Sequence, residues 1–143
     1  MIQDPEELSE IVIQALISYE SARREKINLN HNAVYEHCRE SITYCAIASL
    51  MVVGEPRVRG IRAIEWVKNL PKPNGLFPKL IEAFEDLSPQ SVPFLNFIVG
   101  IPRSTQNISL VEDALEELMD NIENYDEEGT FTTILPGWRN RIS

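Results

Sequence analysis

Apolar residues recur near the start of the chain at alternating intervals of four and three: Leu8, Val12, Ala15, Tyr19 and Ala22, with Ile11 and Leu16 widening the stripe. That spacing puts them on one face of an α-helix. The helix opens at Asp4-Pro5-Glu6-Glu7. A capping Asp is followed there by Pro in the first turn and by acids at the positive end of the helix dipole. It is expected to reach about Lys26. The polar stretch Asn28-Leu29-Asn30-His31-Asn32 reads as a loop.

A second helix is predicted from about Ala33 to Val53, with Gly54 as its C-terminal cap. From Cys45 to Val53 it is apolar on nearly every face, which places it at the centre of the core. Pro56 restarts the chain into a third helix ending near Leu70, and Pro71-Lys72-Pro73-Asn74-Gly75 breaks it. Leu76, Leu80, Ile81, Phe84 and Leu87 carry the helical spacing of a fourth, with Pro78 in its first turn. Ser88-Pro89, or Pro93 one turn later, opens a fifth whose apolar Phe94–Val99 portion is expected to be buried beside the second.

Pro102 to Gln106 reads as a loop, and Ser109-Leu110-Val111-Glu112 as the capping box of a sixth helix ending near Asn124. Beyond Gly129, Thr130-Phe131-Thr132-Thr133-Ile134-Leu135 favours extended chain and Pro136-Gly137 opposes a helix. The expected fold class is therefore all-α, a single compact bundle of about six helices with an extended C-terminal tail. Residues 1–124 form the helical domain in this reading, and residues 125–143 an acidic linker and the tail.

A length of 143 residues is enough to bury a core without disulfides or metals. The formal charge of −9 repels phosphate backbones and weighs against nucleic acid as a general partner. The first residues, Met-Ile-Gln-Asp-Pro, lack the cationic and apolar regions of a signal peptide, and no apolar run approaches a membrane span. A soluble, cytoplasmic protein with no membrane partner is expected. Cys38 and Cys45 lie seven residues apart on a helix, about 10 Å by its rise and beyond the roughly 7 Å reach of a disulfide, so both are expected to be reduced and buried.

Charge is distributed unevenly. Thirty-five residues, Ser104 to Trp138, contain no Lys, Arg or His, yet hold nine carboxylates: Glu112, Asp113, Glu116, Glu117, Asp120, Glu123, Asp126, Glu127 and Glu128. Neighbours three and four apart on this helix repel, so the apolar seam Val111, Leu115, Leu118 and Ile122 or a cationic partner must hold it. The function this suggests is a non-enzymatic protein-interaction or regulatory module meeting a basic protein through Glu112, Asp113, Glu116, Glu117 and Asp120, with Trp138 and Arg139 of the tail. The tail either adds as a strand to a partner's sheet edge or folds back, and the closeness in sequence of opposite charges favours folding back.

An alternative is a nucleic-acid-binding regulator. Arg59, Arg62 and Trp66 share one face of the third helix with Arg57 nearby, and guanidinium groups beside an indole suit phosphate and a stacked base. The duller reading is that Arg stems cover a half-buried Trp. The heptad-like seam of the first helix suits either a bundle or a homodimer.

Catalytic chemistry finds little support. There is no Gly-rich phosphate loop, no Gly-x-Ser-x-Gly and no metal-binding His-Glu motif. His37 and Cys38 point about 100° apart on a helix, which spoils both a metal pair and a nucleophile pair. His31 and His37 are expected to face solvent, and no cofactor or metal is expected.

Overall fold

A computed structural model describes residues 2–55, 61–70, 76–87 and 96–142. Helices α1 (Pro5–Ile27) and α2 (His31–Val52) form an antiparallel hairpin. Helix α5 (Asn96–Tyr125) runs parallel to α2: Ser104 near its start faces His31 at the start of α2, and Glu117 further on lies near Cys45. The short helices α3 (Ile61–Lys68) and α4 (Pro78–Asp86) pack on α2, with α4 also against α5. Helix α6 (Thr130–Ile134) returns to α1, and a 3-10 turn, Trp138–Arg141, follows it. The protein is an all-α bundle, and among the described residues there is no strand. No helix among them is long and apolar enough to cross a membrane.

The local signals in the hairpin act as anticipated. Asp4 accepts the N–H of Glu7 at 3.1 Å and Pro5 fills the first helical position. At the end of α1 the N–H of Asn30 reaches the Glu25 carbonyl at 2.9 Å and that of Leu29 the Lys26 carbonyl at 3.0 Å. This Schellman arrangement needs a left-handed residue, and here it is Leu29, at φ +59°. Helix α2 ends the same way with Gly54 at φ +77°, where the conformation costs nothing.

Asn30 also caps α2, so His31 is not in a loop; it is the first helical residue. It is buried, with Nδ1 2.8 Å from Ser104 Oγ, which corrects the expectation of a solvent-facing histidine.

The seam Leu8, Val12, Ala15, Leu16, Tyr19 and Ala22 is fully buried within the bundle, so the chain itself consumes the surface that a heptad-type dimer would have used. Small residues bring α1 and α2 together: Ser41 Oγ donates to the Ala15 carbonyl at 2.8 Å across the interface. Cys38 and Cys45 are free and buried on α2.

Two further expectations are corrected. The loop Pro102–Gln106 and the capping box at Ser109 do not exist, because α5 runs unbroken through both with Pro102 inside it. Losing an N–H to proline costs about 3 kcal/mol in a helix interior. Buried Ser104, Asn107, Ile108, Val111, Leu115, Leu118 and Ile122 extend one seam along the helix and offset that cost.

The tail is not extended either. Asp126 accepts the N–H groups of Phe131 and Thr132, both at 3.1 Å, and so caps α6 in place of the side chain that Gly129 lacks. Phe131, Trp138 and Ile142 join the same core as the rest of the bundle. The first residues of the third helix, Pro56 to Gly60, and the start of the fifth, Ser88 to Leu95, lie outside the described residues.

Candidate acidic interface on the fifth helix

Asp113, Glu116, Asp120 and Glu123 fall at intervals of three and four on α5, opposite the buried seam, and form one exposed carboxylate stripe. Among the described residues neither Asp113 nor Glu116 has a polar partner. Further along, Arg139 from the 3-10 turn lies across the stripe, its Nη2 2.6 Å from Glu123 Oε1 and 3.2 Å from Asp120 Oδ1, with Nε donating to Glu123 at 3.0 Å. The Glu123 hydrogen bond, first, and that of Asp120 raise the Arg139 pKa above its ordinary value. Arg141 pairs in the same way with Glu20 on α1.

The two remaining acids of the predicted set do structural work. Glu112 accepts the Tyr19 hydroxyl at 2.8 Å, and that hydroxyl also lies 3.1 Å from the Ile142 carbonyl, so one buried phenol joins α1, α5 and the chain's end. Burial, then the Glu112 carboxylate, pushes the Tyr19 phenol well above its ordinary value. Glu117 accepts the N–H groups of Lys79 at 2.7 Å and Leu80 at 3.2 Å and thereby caps α4.

Trp138 is buried edge-on to Phe131, ring centroids 5.7 Å apart, and therefore anchors the tail to its own bundle rather than to a partner. In the sequence Tyr19 is one more residue of the α1 seam, and only its hydroxyl, the one polar atom in that seam, signals the junction.

No protein-family model matches this chain, and no curated protein and no solved structure matches it. What it does must therefore be argued from its surface and its titratable groups.

On α3, Arg62 and Trp66 are exposed one turn apart, and the indole N–H donates to Glu55 Oε2 at 3.2 Å. Trp66 is 43% exposed, about half-buried. Arg57 and Arg59 lie outside the described residues. The thiols of Cys38 and Cys45 are both pushed up to about 12 by burial, which leaves them protonated and unreactive at neutral pH. Among the described residues no group of three or more His, Cys, Asp or Glu side chains is placed to hold a metal ion.

Proposed function

We propose that this chain is a non-enzymatic, intracellular protein-interaction or regulatory module that receives a basic protein partner on the Asp113–Glu123 stripe of α5. The observation that carries the reading is Arg139: a guanidinium already rests between Asp120 and Glu123, in the manner a partner's Arg or Lys would take at Asp113 and Glu116. Exposed pairs of this kind contribute little affinity each, but they steer encounter and select partners by charge. Glu112 and Glu117 are engaged within the fold, which narrows the surface to the exposed acids.

The test is a titration with a Lys/Arg-rich peptide at low and moderate salt. Binding should weaken about tenfold on Asp113→Lys/Glu116→Lys, and the variant, with fewer carboxylates to pair, should show the shallower salt dependence. Both residues are exposed, so helicity should stay intact. Unchanged affinity in the double variant would sink the proposal.

The exposed Arg62 and Trp66 support a rival, a nucleic-acid regulator. It predicts oligonucleotide binding with a steep salt slope that Arg62→Ala reduces by about one charge.

A further inference from the structure

The bundle carries an apolar tip at one end and, at the other, an open groove of mixed lining in which Ile2 and Met51 lie among polar and acidic residues. The tip is the turn between α1 and α2, where Ile27 is 82% and Leu29 62% exposed. Arg23 and Arg24 stand exposed one helical turn behind Ile27 on the same face, with Lys26 beside them. The groove lies where α1 begins and α2 ends, with Ile2 and Met51 lining it and Asp4, Glu7 and Glu55 at its edges. It is open to solvent and has a volume of about 360 Å³. The 23 residues of α1 separate the two features by about 34 Å.

We propose that the chain associates head to tail with a second copy of itself, the Ile27–Leu29 tip of one molecule seated in the Ile2–Met51 groove of the next. Charge is the complement: a projecting pair of aliphatic side chains beside Arg24 and Lys26 meets a hollow that holds Ile2 and Met51 and is edged by carboxylates. Two of the edge acids, Asp4 and Glu55, keep an oxygen for this. Asp4 uses Oδ1 on the Glu7 N–H and Glu55 uses Oε2 on the Trp66 indole, which leaves Oδ2 and Oε1 without a partner among the described residues.

Leu29 adds a second, independent observation. It occupies a left-handed position that Gly or Asn would fill with less strain, and it holds its side chain in solvent. At 62% exposure most of that aliphatic side chain is available to a neighbouring copy's groove.

Joining two different patches makes the contact heterologous, so it propagates unless the rotation between copies closes a ring. The contact is small, which makes it weak and dependent on concentration.

Sedimentation velocity on the full chain decides the matter. The weight-average mass should at least double between about 10 µM and about 500 µM at low salt, and fall back in about 0.5 M salt, where the charges are screened. A tip variant, Ile27→Asp/Leu29→Asp, and a groove variant, Met51→Lys/Glu55→Lys, should each stay monomeric alone. Mixed, they should form a one-to-one dimer and nothing larger, because the first retains a groove and the second a tip. Circular dichroism checks that both fold, and Glu55→Lys alone replaces the groove variant if Met51→Lys disturbs it. A wild-type chain that stays monomeric throughout, single variants that still associate, or a mixture that stays monomeric would each overturn the proposal.

Discussion

Glu117 accepts the backbone N–H of Lys79 at 2.7 Å, so a side chain from α5 caps a helix 38 residues away in sequence. Its other oxygen takes the Leu80 N–H, while Phe77 at the cap position offers no side-chain hydrogen bond. Helix α4 thus borrows from a neighbour what most helices supply locally. Glu117→Ala should destabilise the protein by about 1–2 kcal/mol, the usual cost of a lost cap. Amide exchange at Lys79 and Leu80 should accelerate more than exchange in α1, whereas uniform acceleration would mean that the cap has no local role.

The same carboxyl has a pH signature. Burial raises its pKa above the ordinary glutamate value, against the Lys79 and Leu80 N–H groups and the Lys79 charge, which lower it. The folded state therefore binds the proton more tightly than the unfolded chain, and ionisation costs stability. That cost is absent below the unfolded value near 4.3 and complete above the folded value, so stability from this group is lost as pH rises through that window. Glu117→Gln does not titrate. Its melting temperature relative to wild type should rise between about pH 4 and pH 7, and a fall would show that the capping bonds outweigh burial.

Leu29 at φ +59° offers a gain rather than a loss. A non-glycine residue in this region costs about 1–2 kcal/mol, and glycine gives back about half of that through the freer unfolded chain. Leu29→Gly should stabilise by roughly 0.5–1 kcal/mol, read as a higher urea midpoint with an unchanged slope. A lower midpoint would mean that the leucine side chain contributes to the fold despite its exposure.

Where sequence and structure agree, local chemistry and periodicity point the same way. Asp4-Pro5 opens α1, Gly54 closes α2, and Pro78 sits in the first turn of α4. They part where tertiary contacts override a local signal. Pro102 and the polar run after it mimic a loop, because two residues of the core-facing seam, Ser104 and Asn107, are polar and hide its continuity. Thr130 to Ile134 has strand propensity but turns helical once Asp126 supplies a cap that no nearest-neighbour rule foresees. The acidic stripe was visible in the sequence, but its division was not. The bonds of Glu112 to Tyr19 and of Glu117 to Lys79 span 93 and 38 residues.

The two cysteines give a clean probe of global stability. With both thiols buried and pushed up to about 12, a thiol reagent at pH 8 should label neither in the native state. Labelling should begin only as the protein unfolds, following the same urea curve as circular dichroism. Fast labelling of either cysteine in native buffer would contradict the packing of α2 described above.

The tail separates packing from charge. Trp138 is buried against Phe131, whereas the adjacent Arg139 makes its ion pairs at the surface. Replacing a buried tryptophan by alanine costs about 3–5 kcal/mol, while an exposed ion pair contributes about 0–1 kcal/mol. Trp138→Ala should therefore lower the urea midpoint sharply, and Arg139→Ala should barely move it. The arginine variant has a second consequence, because it frees Asp120 and Glu123 from their internal cation. Its affinity for a Lys/Arg-rich peptide should rise while its stability holds, an outcome that loss of folding cannot imitate. If Arg139→Ala instead destabilises as much as Trp138→Ala, the guanidinium is a structural tie, and the stripe beneath it is not open to exchange.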